Sequence, residues 1–244
     1  MRIRPDQLVS HGYRPLRSVR YSEIAQFAVD SLFTRNPFSL GFALMMAVIV
    51  GYALIAASGA DATPGALLLA GLRGAGLGLA GALLLVPVHE LVHGAAFRLL
   101  GAKRVAYGLE PAAYAVYAVA PGFVMSAREV MVAVFAPLVI VSAALLTAHL
   151  RVSGLWAGAA LGALFFHTLF CAGDIGIAAY VWRYRRQGLV TYDELEPQLS
   201  HFFIRAGDTP SDRSGRARGH DTQRHQSGSP SSRGSGAPDR QSRS

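Results

Sequence analysis

The sequence predicts an all-α integral membrane bundle of about four transmembrane helices, with a small β-hairpin on the cytoplasmic side and a disordered C-terminal tail. Three observations predict it. The 244-residue chain is 52% hydrophobic with a mean hydropathy of +0.32, although its last forty or so residues are almost free of apolar side chains. Three stretches reach the roughly 20 apolar residues needed to cross a hydrocarbon core of about 30 Å. A fourth qualifies if its polar residues have a reason to be there.

Taken in order, residues 1–37 form a polar N-terminal segment with six arginines, within which "YSEIAQFAVDSLF" has the spacing of a short amphipathic helix. Span one, Phe38 to Ser58, holds 21 residues without a charge. Span two is expected over Gly74 to Leu100 and contains "VPVHELVHGAAFRLL". The segment "VAYGLEPAAYAVYAVAPG" (105–122) is rich in Tyr, Val and Ala and broken by Gly and Pro, so it reads as a hairpin. Span three, Val130 to Leu150, has His149 as its one ionisable group. Span four, Leu155 to Trp182, contains His167 and Asp174 beside the weakly acidic Cys171 and Tyr180.

Residues 38–183 are thus expected to form the transmembrane domain, and 184–205 a membrane-adjacent segment with a short helix. From 206 to 244 the chain is Ser, Gly, Arg, Asp and Gln and cannot bury enough surface to fold. There are no internal repeats. Pro87 and Pro137 are expected to bend spans two and three.

The net charge of +8 resembles a nucleic-acid signature, but the arginines gather before span one, just after span four and in the tail. That distribution is one of membrane orientation, not of nucleic-acid binding. The loop from Gly59 to Arg73 carries one arginine and one aspartate, against six arginines before span one. Both termini are therefore expected in the cytoplasm. The mixed, charged N-terminus does not read as a cleavable signal, and the lone Cys171 rules out an intramolecular disulfide.

Within "VPVHELVHG", His89 and His93 lie one helical turn apart and share a face, so both imidazoles reach one ion. Glu90 lies about 100° round the helix from His89, beside such an ion rather than on it. H-E-x-x-H is the pattern of zinc metalloproteases, in which two histidines hold Zn2+ and the glutamate is the general base. Ionisable groups inside a spanning helix are costly and mark function by default. A catalytic zinc takes three protein ligands and keeps one position open.

Depth selects among the candidates for the third ligand. His89 and His93 lie roughly 12 to 18 Å before the end of span two, and Asp174 about 12 Å before the end of span four, at 1.5 Å per residue. His167 lies on the same face as Asp174 but about 10 Å deeper. Cys171 shares that face too, although a small buried thiol is the commoner case. His149 falls at the opposite membrane edge, and His220 and His225 lie in the polar tail.

"PVHELVHGAAFRLLG", followed by a Tyr-rich segment, "FAPLVIVS" and "CAGDIG", resembles the zincin peptidases of bacterial and archaeal membranes, related in plan to site-2 proteases. The resemblance covers roughly Ser39 to Arg205. It implies an intramembrane metalloprotease fold with zinc held by His89, His93 and Asp174, Glu90 as base, and a β-hairpin near the metal. Site-2 proteases proper usually carry L-D-G with an upstream Asn-Pro, where this chain has "AGDIG". The expected function is zinc-dependent hydrolysis of peptide bonds in membrane or membrane-associated proteins, in contact with the lipid bilayer. The rivals are a zinc-binding scaffold that does not need Glu90, and a transporter, which would spread polar residues along several helices.

Overall fold

The protein, in a computed structural model, is described over residues 3–59, 62–111 and 115–207. The tail read as disordered lies outside the described residues from 208 onward, and His220 and His225 lie there too. A strand, β1 (Tyr13–Arg20), leads into α1 (Tyr21–Leu32), the amphipathic helix expected from sequence. Then come α2 (Pro37–Ser58), α3 (Pro64–Leu84) and α4 (Val86–Leu99). A hairpin, β2 (Ala106–Glu110) with β3 (Ala115–Val119), and the short β4 (Met125–Ser126) precede α5 (Ala127–Arg151). Helices α6 (Gly154–Phe170) and α7 (Ala172–Tyr184) and strands β5 (Val190–Glu194) and β6 (Leu199–Arg205) complete the fold.

Four helical stretches are long and apolar enough to cross a membrane: 37–58, 64–84, 127–151 and 154–187. Their starts follow from capping chemistry. Asn36 Oδ1 accepts from the N–H groups of Phe38 and Ser39, with Pro37 at the first helical position of α2. Thr63 caps α3 in the same way, and Ser126 with Glu129 forms a capping box for α5. No residue of α2 is buried, as suits a helix whose apolar surface meets lipid. Helices α3 and α6 pack through glycines: a Cβ on Gly78 would come within 2.5 Å of the backbone of Gly162 and Ala163. Such small-residue seams let backbones approach where lipid supplies no hydrophobic drive.

Two expectations are corrected. The crossing helix before the motif runs from Pro64 to Leu84, not from Gly74 to Leu100. The motif sits in a separate, shorter helix, α4, because Pro87 has no N–H to continue the ladder and the backbone breaks at Leu85. The bend anticipated at Pro87 is therefore a full helix boundary.

The fold is also not all-α. A four-stranded antiparallel sheet, in the order β1-β6-β5-β4, joins the N-terminal segment to the segment after span four, where a short helix was expected. In β6 the buried residues alternate, Ser200, Phe202 and Ile204, which is a strand pattern. One sheet face packs on the helices through Phe202 and Ile204 with Phe27 and Val181. The other carries Tyr192 and Phe203, covered by Leu8 and Tyr13. The hairpin expected over 105–122 is present, pairing Ala106 with Val119 and Tyr107 with Ala118.

Candidate metal centre

Helix α4 turns one face inward, and the i, i+4 spacing puts both motif histidines on it; His89 and His93 are buried. Their Nε2 atoms lie 3.1 Å apart. Each ring is held from behind. His93 Nδ1 is 3.0 Å from the carbonyl oxygen of Ala133 in α5. That carbonyl is available because Pro137, four residues on and inside the helix, has no N–H to offer it. The bend expected from Pro137 thus supplies an acceptor.

Asp174 meets the pair from α7. One carboxylate oxygen lies 3.1 Å from His89 Nε2 and the other 3.3 Å from His93 Nε2. A break at Cys171 separates α6 from α7 and places Asp174 in the first turn of the new helix, where the N-terminal dipole favours a carboxylate. His167 does not reach this face of the cluster. Its Nε2 sits 3.3 Å from His89 Nδ1, on the far side of the imidazole, and its own Nδ1 is 3.3 Å from Ser142 Oγ. The rise from 167 to 174 is taken up by the His89 ring, whose Nδ1 faces His167 and whose Nε2 faces Asp174.

The Ala133 carbonyl can only accept, so His93 Nδ1 carries its proton. When the His89 proton likewise sits on Nδ1 toward His167, both Nε2 lone pairs point at the Asp174 carboxylate. Three acceptor groups, 3.1 to 3.3 Å from one another, demand a cation or shared protons. Tetrahedral zinc with bonds of about 2.0–2.1 Å sets its ligand atoms about 3.3–3.4 Å apart. The cluster fits that ion without rearrangement.

Residues 82–189 match a zincin family. The description of that family is "Putative zincin peptidase", and the matched stretch runs from the end of α3 to just before β5. No curated protein and no solved structure matches the chain. The zincin resemblance read from the motif is borne out over this stretch, and a zincin implies a zinc cofactor.

Glu90 completes the zincin motif as a near neighbour. Its carboxylate groups with the ligand nitrogens of His89 and His93, all within 4.8 Å of one another. The backbone of Ala118 in β3 lies beside it. A cavity of about 210 Å³ opens here, lined by Glu90, His93 and Asp174 together with residues of the hairpin and the sheet. The hairpin docks by close approach: a Cβ on Gly94 would fall 1.9 Å from the Tyr107 hydroxyl.

Cys171 is buried, with its sulfur 4.0 Å from His89 Nδ1 and 3.8 Å from His167 Nε2, on the same far side as His167. His149 stands apart, its ring nitrogens near Tyr52 Oη and the Ala157 carbonyl. Of the two glycines flanking Asp174, Gly176 lies tight against the backbone of Ala28 in α1, whereas a Cβ on Gly173 would meet nothing within 4 Å. Sequence reasoning missed Ala133, Ser142, Tyr21 and Asp193. Of these only Ala133 left a signal, through Pro137 four residues downstream.

Proposed function

We propose that the protein is a zinc-dependent intramembrane metalloprotease that hydrolyses peptide bonds of membrane-associated protein substrates. One observation carries this reading. Two imidazole nitrogens and a carboxylate, 3.1 to 3.3 Å apart, sit beside a glutamate at a cavity wall. In this reading His89, His93 and Asp174 would hold the metal at the wall of the cavity. Zinc there supplies Lewis-acid polarisation of a peptide carbonyl and a water acidified to a pKa of about 7.

The protein's own groups do the rest. Ala133 and His167 hold the two imidazoles in the tautomer that offers Nε2, as partners behind metal-bound histidines do. The Glu90 carboxylate takes the proton of the attacking water and delivers it to the leaving amine. The backbone of Ala118 in the hairpin lies beside that carboxylate. Strand β3, paired only with β2 among the described residues, contributes Val116, Tyr117 and Ala118 to the cavity wall, and an extended peptide can add to such an edge. Both termini face the cytoplasm in this account, by the arginine asymmetry.

The test is Glu90→Gln. The variant should bind zinc as the wild type does and lose cleavage of membrane-anchored test substrates by at least about 100-fold, the scale of general-base catalysis. Undiminished cleavage by Glu90→Gln would remove the protease reading and leave a zinc-binding scaffold.

A further inference from the structure

The reaction uses the α4 and α7 side of the cavity and leaves the sheet side without a task. Alternation along β5 and β6 turns Thr191 and Asp193 from one strand, and Ser200 and Phe202 from the other, into that cavity. Ser200 Oγ–H donates to Asp193 Oδ1 at 2.6 Å. Tyr21, where β1 meets α1, is 4% exposed and lines the same space, and its buried hydroxyl has no hydrogen-bond partner among the described residues. A carboxylate satisfied by one neutral hydroxyl and a buried orphan hydroxyl each cost free energy that a ligand can recover.

Charge gives that ligand its sign. Glu90, Glu110, Asp174 and Asp193 line the cavity, with no lysine or arginine among the described lining residues. Asp174 is balanced by the metal and Glu90 is committed to proton transfer, whereas Asp193 serves neither. Burial pushes the Asp193 carboxyl up to about 6, pulled back by the Ser200 hydroxyl and by His201. The same wall carries the apolar Ile24, Val134 and Ile177, able to cover an alkyl stem.

We propose that Asp193 and Tyr21 form a subsite that takes a cationic side chain, lysine or arginine, of the peptide substrate. The ammonium or guanidinium donates to the Asp193 carboxylate and to the Tyr21 oxygen, while the stem lies along the apolar wall. This rests on the peptidase reading only for the word substrate; the subsite itself is a property of the cavity.

The experiment uses the full chain, zinc-loaded, in lipid nanodiscs. Binding of a capped pentapeptide, acetyl-Ala-Ala-Lys-Ala-Ala-amide, is compared with its norleucine counterpart by calorimetry on the Glu90→Gln protein. The lysine peptide should bind at least about tenfold more tightly, the scale of a charge-assisted hydrogen bond. Asp193→Asn should bring that ratio close to one. Tyr21→Phe, which removes a hydroxyl without a partner and so leaves packing intact, should lower it severalfold. Equal binding of the two peptides, no binding of either, or a ratio unchanged in both variants overturns the subsite. In parallel, wild-type protein is given a random capped hexapeptide mixture and the cleaved bonds are read by mass spectrometry. Cleavage without a basic preference sinks the subsite and keeps the peptidase; lysine-selective binding without any cleavage does the reverse.

Discussion

His93 Nδ1 lies 3.0 Å from the carbonyl oxygen of Ala133, the one carbonyl in α5 that Pro137 leaves without its usual donor. A proline inside an apolar helix ordinarily costs stability. Here its missing N–H is matched by an imidazole N–H from another helix, and the cost becomes an orienting contact for a ring of the candidate metal centre.

Pro137→Ala therefore tests more than helix straightness. The new N–H competes for Ala133, and His93 loses its fixed tautomer. Zinc affinity, measured by competition with a chelator of known affinity, should fall about 10-fold or more, the usual scale for such outer partners. The variant should be no less stable when metal-free, since alanine favours the helix. An unchanged zinc affinity would show that the contact does not orient the ring.

His167 and Asp174 should separate cleanly. His167→Ala removes the partner behind His89 and should weaken zinc about 10- to 100-fold while leaving the site saturable. Asp174→Ala removes a group lying 3.1 and 3.3 Å from the two Nε2 atoms and should abolish stoichiometric binding. The reverse order of effects would make His167 the ligand.

The parts of this site that could be read from sequence are those that use local rules. His89, Glu90 and His93 declare themselves by helical spacing within an apolar run, and Asp174 by its isolation near the end of span four. The sheet could not be read in the same way. Its strand β6 pairs with β1, Tyr13 opposite Arg205, across most of the chain, and neither segment shows that partnership alone. The helix break at Leu85 was half legible, since Pro87 announces a bend but not its extent. The depth difference separates His167 from Asp174 but does not show that His167 meets the far nitrogen of His89, because that contact runs between two helices.

The half-buried Asp193 gives a pH signature. Its pKa is raised from 3.8 to about 6 in the folded protein, mainly by burial. The folded state then holds the proton more tightly than the unfolded state, so stability falls as pH rises through this window and levels off above it. Asp193→Asn removes the dependence. The melting temperature of the Asn variant minus that of the wild type should grow between about pH 4 and pH 7, measured in one detergent across a pH series. A difference that stays flat or shrinks would mean the carboxylate is not buried at a cost.

Orientation is open to reporter fusions. Sites between α2 and α3, in the β2–β3 hairpin and at Val152 should read outside, inside and outside the cytoplasm in turn. An external hairpin would put the cavity and its glutamate on the other side of the membrane and reverse the positive-inside assignment.

The most direct measurement is metal content. Full-length protein purified from zinc-replete cells should carry about one zinc per chain by elemental analysis, as a structural or catalytic tetrahedral site requires. The His89→Ala, His93→Ala double variant should carry none, and Glu90→Gln should carry as much as the wild type. Wild-type protein that emerges zinc-free, or a double variant that keeps its zinc, would contradict the account at its centre.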